Sequence, residues 1–119
     1  MNFASQKTEN GALFWREDEK RIVVLFNDKT WLQFNDTWTN AMSEDVCPTV
    51  TAASGLLKPK RGFGKVWCDQ SAVRAKLGAA IENEIGVYAA LTQKFERGQV
   101  FAGTDRARVH VLYSDGKWE

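Results

Sequence analysis

Residues 93–118 read QKFERGQVFAGTDRARVHVLYSDGKW, and residues 6–31 read QKTENGALFWREDEKRIVVLFNDKTW. Aligned without a gap, the two stretches share 11 identical residues in 26 pairs, where chance would give about one or two. The identical pairs include Gly11 with Gly98 and Trp31 with Trp118. An internal repeat of this kind determines the architecture before any other feature is considered. The sequence therefore indicates two copies of one unit, separated by a segment of different character.

Each copy is predicted to form a three-stranded antiparallel meander, over about 6–31 and about 93–118. β-branched and aromatic residues occur there in short runs separated by turn residues, which is typical of paired strands. The Asp115-Gly116 pair in the second copy is a strong hairpin signal. Alternation along the last strand leads us to expect Val111 on the core face and Leu112 on the opposite face.

The segment between the copies is predicted to contain a Gly-rich loop, Gly62-Phe63-Gly64, and one short helix over about 70–77. Val73 and Leu77 lie four residues apart, and Gly78 follows where a helix C-terminus often has glycine. We expect an α+β fold dominated by β structure. A single domain over 1–119 would comprise a partial copy (1–34), a linker with the GFG loop (35–69), and the helix with the second copy (70–119).

The chain has 119 residues, 44% of them hydrophobic, which is enough for one domain with a buried core. Its net charge of +1 gives no global case for nucleic acid or an anionic membrane. Residues 47–76 alone carry six basic and one acidic side chain, with Phe63 and Trp67 among them. Basic and aromatic residues together can bind single-stranded nucleic acid by stacking, but the charge of this segment is modest and we expect no nucleic acid. No apolar run is long enough to cross a bilayer, so no membrane insertion is expected.

The chain contains two cysteines, Cys47 and Cys68. One interpretation is a disulfide that clamps the intervening segment, which fits an extracellular or cell-surface location. The alternative is a pair of reduced, packed thiols. The N-terminal residues lack the apolar core of a signal peptide, so a secreted chain would use another export route or be part of a longer protein. Two cysteines and one histidine do not supply a tetrahedral ligand set, and no metal is expected.

No catalytic residue is expected, and neither is a cofactor. His110 is the only histidine and aligns with Val23 of the other copy, so its position does not require an imidazole. Glycoside hydrolysis needs two carboxylates across a cleft. The acidic residues at 17–19 and at Glu82 and Glu84 lie in polar runs that are typical of a solvated surface. We therefore expect a protein that is not an enzyme.

The chain has five tryptophans, and the comparison of the two copies separates those that both copies share from those that only one copy has. Trp31 and Trp118 occur in both copies and are expected in the core. Trp15 aligns with Ala102, so the repeat tolerates its absence. A tryptophan that folding does not require is a candidate for an exposed contact. We predict Trp15, together with Trp38, as ligand-binding residues.

Several motifs resemble a repeat found in secreted and surface proteins of bacteria. These are GFGKVW at 62–67, LG at 77–78, QKFERG at 93–98 and VLYSDGKW at 111–118. That repeat is similar to the LGFP cell-wall repeat. Ala79-Ala80-Ile81 stands in place of the LGFP proline, and Ala102-Gly103 stands where the repeat usually has a tryptophan. The resemblance implies a non-catalytic module whose partner is the cell wall.

Two functions follow as expectations. The first is a non-enzymatic extracellular or cell-surface binding module for a cell-wall glycan or a protein partner. The alternative is a structural, self-assembling subunit of a fibre or array built from tandem repeat units. The chain begins and ends on the same meander, and meanders leave open edges. A homo-oligomer is therefore a possible state.

Overall fold

The computed structural model of the chain describes residues 3–87, 91–95, 97–102 and 109–119. Within these residues the chain is mainly sheet with two short helices, as the predicted class requires. The elements in order are β1 Phe3–Thr8, β2 Gly11–Arg16, β3 Arg21–Phe26, β4 Trp31–Asn35, α1 Arg61–Asp69, α2 Ser71–Leu77, β5 Ile85–Val87, β6 Leu91–Phe95, β7 Gly98–Ala102 and β8 Val109–Tyr113.

The strands form two antiparallel sheets, with orders β4-β3-β2-β1-β5 and β6-β7-β8. The predicted antiparallel meander is confirmed in β1–β3, called here the first meander. The second meander, β6–β8, has the same pairing register 87 residues later. Thr8 pairs with Gly11, and Gly11 with Phe26. Correspondingly, Phe95 pairs with Gly98, and Gly98 with Tyr113.

The glycine that both meanders share permits close approach of backbones. A Cβ on Gly11 would overlap the carbonyl oxygen of Leu25, and a Cβ on Gly98 would overlap that of Leu112. The two carbonyls also lie 87 positions apart. The shared glycine is therefore explained by packing within the sheet.

Strand β3 is buried on both faces. Its even-numbered residues face a core cluster that includes Phe63 of α1 and Leu77 of α2. Its odd-numbered Val23 and Leu25 face a second cluster that includes Leu112 of β8. The continuous apolar run RIVVLF is typical of a strand covered on both sides.

The expectation that Leu112 faces away from the core is wrong. Leu112 is fully buried, whereas its neighbour Val111 is half-buried. Alternation identifies two faces of a strand but cannot say which one is covered. Here the second meander lies against the first sheet, so the face that carries Leu112 is enclosed.

A tryptophan that follows the last strand of each meander hydrogen-bonds to the backbone of the other meander. The Trp31 indole N–H donates to the carbonyl of Tyr113 at 2.7 Å. The Trp118 indole N–H donates to the carbonyl of Phe26 at 2.8 Å. Trp31 corresponds to Trp118, and Phe26 to Tyr113, in the 87-residue alignment. The contact is therefore reciprocal, as in the interface of a twofold dimer.

Backbone hydrogen bonds repeat this reciprocity. The Trp31 N–H donates to the Gly116 carbonyl, and the Trp118 N–H donates to the Lys29 carbonyl, both at 2.8 Å. Gly116 has φ 88°, and Lys29 at the corresponding turn position has φ 72°. A left-handed conformation disfavours a lysine by about 1 kcal/mol. The Lys29 ammonium lies 4.2 Å from the Trp118 ring centroid, and this cation–π contact offsets part of that strain.

Residues 61–69 form helix α1, so the prediction of a Gly-rich loop in this segment is wrong. Phe63, Val66 and Trp67 recur at helical spacing and are buried against the sheet. A Cβ on Gly62 would meet the Asp36 carboxylate, and one on Gly64 would meet the Pro59 carbonyl. The glycines therefore allow close packing of the helix, which outweighs their low helix propensity.

The predicted single helix over about 70–77 is accordingly the second of two. Helix α2 begins at Ser71 and ends at Leu77, close to the predicted bounds. Gln70 separates it from α1, with backbone angles outside the helical region. Gly78 ends α2 with φ 76°, as expected for a C-terminal glycine.

Helix α2 is tied to the turn between β3 and β4 by an ion pair. The Lys76 ammonium lies 2.7 Å from the Asp28 carboxylate, and Asp28 also accepts the backbone N–H of Thr30 at 3.0 Å. The hydrogen bond from Lys76, followed by those from Thr30, lowers the pKa of Asp28 from 3.8 to about 2. A lowered pKa in the folded state means that the contact stabilises the protein at higher pH.

We expect the Asp28 carboxylate to titrate near its lowered pKa of about 2 in the folded protein. Its stabilising contribution is complete above the unfolded pKa and is lost as pH falls through the folded pKa. Lys76→Gln should raise the titration midpoint, measured by carboxyl-carbon NMR. Lys60→Gln changes the same charge elsewhere and should leave the midpoint in place. An unchanged midpoint in Lys76→Gln would contradict the assigned cause.

The reciprocal contact predicts matched effects of substitutions at Trp31 and Trp118. Each indole shares its carbonyl acceptor with a turn N–H, so Trp→Phe removes one of two hydrogen bonds and should lower the free energy of unfolding by about 1 kcal/mol at either site. Trp→Ala should lower it by about 3 kcal/mol. Urea denaturation measures both.

Trp38→Phe is the control, because its indole hydrogen-bonds to Ser43 within an exposed loop. It should change the free energy of unfolding less than either exchanged tryptophan does. A large effect at Trp31 with none at Trp118, or the reverse, would contradict the reciprocal contact.

Candidate functional site

A cleft of about 320 Å³ lies between the first sheet and the N-terminal end of α1. Four aromatic side chains contribute to its lining: Phe3, Trp15, Trp38 and Phe63. Four charged side chains also line it: Glu17, Asp36, Arg61 and Glu84. A concave surface that combines aromatic walls with a few converging polar groups is the usual form of a ligand site.

Trp15 is brought to the cleft by the pairing of β2. It lies opposite Ala4 of β1 and Ile22 of β3, and both of these residues line the same cleft. The small Ala4 side chain leaves space beside the indole. Trp15 is half-buried and packs against the main core cluster. One part of its ring therefore supports the fold, while another part borders the cleft.

Trp38 is held in place from two sides, in the loop that follows β4. Its backbone N–H donates to Oδ1 of Asp36 at 3.1 Å, which forms an Asx turn. Its indole N–H donates to the carbonyl of Ser43 at 3.0 Å. Asp36 in turn packs directly on Gly62 of α1. These contacts hold the Trp38 ring in a defined position.

Arg61 connects three segments at the edge of the cleft. Its guanidinium lies 3.0 Å from the Glu84 carboxylate and 3.1 Å from that of Glu44. Its backbone N–H also donates to the Glu44 carbonyl. The hydrogen bond to Glu84 is the largest cause of a raised pKa for Arg61. These contacts fix the loop, α1 and the segment before β5 relative to one another.

The predicted disulfide between Cys47 and Cys68 is present in the structure, with a Cα–Cα distance of 5.6 Å. Cys68 lies in the last turn of α1, and Cys47 lies in the loop after Trp38. The Lys58 ammonium donates to the Cys47 carbonyl at 3.0 Å. The disulfide therefore holds the loop that carries Trp38 against helix α1, which carries Phe63.

The two tryptophans chosen from the sequence thus meet in one cleft. The repeat comparison singled out Trp15, and Trp38 followed it as a second aromatic candidate. The charged lining residues were not predicted as a site. Asp36 and Arg61 carry no local signal of their role, because their approach depends on the packing of α1 against the loop.

The structure separates residues that are neighbours in the acidic runs. Glu84 pairs with Arg61 in the cleft, whereas Glu82 accepts the backbone N–H of Lys7 at 2.9 Å. Glu17 lines the cleft, whereas the next residue, Asp18, pairs with the buried Arg16 at 3.0 Å. Neighbouring acidic residues in each run therefore lie in different surroundings.

His110 packs among aromatic rings away from the cleft. Its ring centroid lies 4.9 Å from that of Phe14 and 6.0 Å from that of Trp118. Three of the basic side chains between 47 and 76 form ion pairs: Lys58 with Asp45, Arg61 with two glutamates, and Lys76 with Asp28. These contacts give the histidine and the basic segment structural roles.

Among the described residues, no group of three or more metal-ligating side chains is found. Neither described helix has the length and apolar character needed to cross a bilayer. Comparison with protein-family models, with curated proteins and with solved structures finds no match.

Reduction of the disulfide should lower the free energy of unfolding by about 3 kcal/mol, because a loop of this length gains that much chain entropy when opened. Urea denaturation with and without dithiothreitol measures the change. The double variant Cys47→Ala, Cys68→Ala should match the reduced protein and show no response to dithiothreitol. Two free thiols in the non-reduced protein would refute the link.

Proposed function

We propose that this chain is a non-enzymatic binding module of the cell surface, and that it binds a sugar ring of a cell-wall glycan in the cleft between Trp15 and Trp38. The observation that carries the proposal is the convergence of these two rings on one concave surface. Indole rings stack well on the flat apolar face of a sugar. The polar groups beside the rings can accept hydrogen bonds from sugar hydroxyls or donate hydrogen bonds to them.

The size and shape of the cleft favour a small cyclic unit over a protein surface. Its volume of about 320 Å³ is near the lower end of the range for small-molecule pockets. A standard protein interface buries about 800 Å² on each partner and is comparatively flat. A glycan whose individual rings enter the cleft fits this geometry better than a folded partner does.

The charged groups of the cleft have structural contacts, which supports binding over catalysis. Glu84 is held by Arg61, and Asp36 uses one oxygen to hold the turn of Trp38. A glycosidase needs two carboxylates placed on either side of the scissile bond and free to exchange protons. Glu84 and Asp36 therefore serve first to hold the segments that carry the aromatic walls.

We also propose that the two meanders are copies of one repeat. The proposal is supported by the 11 identities in 26 aligned pairs, by the shared pairing register and by the reciprocal tryptophan contact. The resemblance to bacterial surface repeats, and through them to LGFP repeats, supports the cell wall as partner. The disulfide supports an extracellular location, where such bonds persist.

The second candidate is a structural, self-assembling subunit. Strands β4 and β5 are the outer strands of the five-stranded sheet, and Ile85 of β5 is 49% exposed. An outer strand with an exposed apolar residue can pair with another chain. The hairpin ends are already used within the chain, so assembly would proceed through these strands. Sedimentation over a wide concentration range distinguishes a monomer from such an assembly.

Substitution of either tryptophan should weaken glycan binding. Trp15→Ala and Trp38→Ala should each reduce the affinity for a cell-wall oligosaccharide by at least about tenfold, because each removes one stacking surface. Isothermal titration calorimetry measures the affinity. Trp15→Ala should lower the free energy of unfolding by less than about 3 kcal/mol, since the ring is only half-buried.

Leu32→Ala is the matched control, because Leu32 is exposed on β4 and does not line the cleft. It should retain the wild-type affinity. Full affinity in both tryptophan variants would remove the cleft from the proposal. Cleavage of the oligosaccharide by the wild-type protein would overturn the non-enzymatic assignment.

A further inference from the structure

The first meander binds the residues that follow helix α2 through two polar side chains. The Glu9 N–H donates to the Ala79 carbonyl, and the Glu9 carboxylate accepts the Ala79 N–H, both at 3.0 Å. The Gln6 side-chain amide donates to the Glu82 carbonyl at 2.9 Å. Strand β1 and the turn after it therefore hold the backbone that leaves α2.

The first meander also contacts the last turn of α2. The Lys76 ammonium pairs with the Asp28 carboxylate at 2.7 Å and lies 4.4 Å from the centroid of the Phe26 ring. Leu77 is fully buried in the core cluster that includes Val24 and Phe26. The end of α2 is therefore bound by an acidic residue, an aromatic ring and an apolar side chain of one meander.

The second meander keeps the residue types that make these contacts. Counting 87 positions onward, the polar residues are identical, the aromatic ring is retained and the valine is retained, at Gln93, Glu96, Val111, Tyr113 and Asp115. The turns correspond as well. The Ser114 N–H donates to the Arg97 carbonyl at 2.8 Å, as the Asn27 N–H donates to the Asn10 carbonyl at 2.9 Å.

The corresponding face of the second meander is less covered. Val24 and Phe26 are buried under the helices, whereas Val111 and Tyr113 are half-buried. Both helices of the described residues contribute their buried side chains to the core of the first meander. Asp115 accepts the Lys117 N–H at 3.0 Å, and within the described residues it has no ion pair like that of Asp28 with Lys76.

We propose that this face of the second meander is a docking surface for the helical segment of a further repeat unit, an amphipathic helix whose last turn carries Lys-Leu-Gly as α2 does. Asp115 and Tyr113 would receive the lysine, and Val111 would receive the leucine. Repeat units of extended proteins contact their neighbours in this way, and apolar helix faces dock in such surfaces. The inference rests on the proposed repeat and does not depend on glycan binding.

The residues after β8 already follow the path that leads to the helices in the first copy. Glu119 exchanges two backbone hydrogen bonds with Val111, at 2.9 and 3.0 Å. Leu32 occupies the corresponding position and pairs with Val24. From Leu32 the chain continues through β4 to α1 and α2. A copy of residues 33–84 joined after Glu119 would therefore be in phase to reach the proposed surface.

The test is the full chain extended after Glu119 by a copy of residues 33–84. We expect a second helix pair, seen as added helical signal in circular dichroism, and a second disulfide, seen as the absence of free thiols. Amide hydrogen exchange should be slow in the appended helices. An appended segment of the same composition in scrambled order is the control and should add no helix.

Val111→Asp tests whether the appended helices use the proposed surface. A carboxylate enclosed beneath the docked leucine would be desolvated without a partner, so the extended variant should lose the added helical signal. Leu32→Asp is the matched control, because Leu32 is exposed on β4 of the first sheet, and it should retain that signal. In the 119-residue chain, Val111→Asp should leave both native helices intact, since they pack on the first meander.

The outcomes separate this inference from the proposals that precede it. Appended residues that stay unfolded, or appended helices that persist in the Val111→Asp variant, would overturn the docking surface. Matched effects of substitution at Trp31 and Trp118 would then still support the repeat. Glycan affinity is measured at the cleft of the first sheet, so its presence or absence does not decide the result.

Discussion

Two indole N–H groups join the halves of this protein. Trp31 and Trp118 each reach across to a backbone carbonyl of the other meander, and the two contacts are related by the repeat alignment. This exchange holds the second meander against the first sheet. It thereby encloses Leu112 together with Val23 and Leu25, a cluster that the first sheet alone would leave in water. Burial of these side chains is the main free-energy gain on that face.

Coverage of one face of the sheet leaves the other face to the helices and the cleft. Helix α1 packs on that face through Phe63, Val66 and Trp67. The disulfide and the Arg61 ion pairs then attach the loop of Trp38 to the helix. The loop of Trp38 and helix α1, which both line the cleft, thus have structural support of their own. If the cleft binds a ligand as proposed, such prior support limits the conformational entropy that is lost on binding.

The repeat was the most informative feature of the sequence for the fold. Its turn residues and apolar alternation are local signals, and they predicted the first meander and the bounds of α2 well. The prediction for 61–69 was wrong because two glycines in a short segment usually indicate a loop. Gly62 lies against Asp36 and Gly64 lies against Val46, and both of these partners are distant in sequence. The prediction for the orientation of Leu112 was wrong for a related reason. The residues that cover Leu112, Val23 and Leu25 among them, come from another part of the chain.

The sequence by itself determined the strands of the first meander, their turns and the bounds of α2, because these depend on neighbours a few positions away. It also indicated Trp15 as free for another role and the cysteines as a possible pair. Only the tertiary structure decided that α1 is a helix, that Trp15 and Trp38 border one cavity and that charged side chains from separate segments line it. Those facts depend on contacts between segments tens of residues apart, which local sequence patterns do not specify.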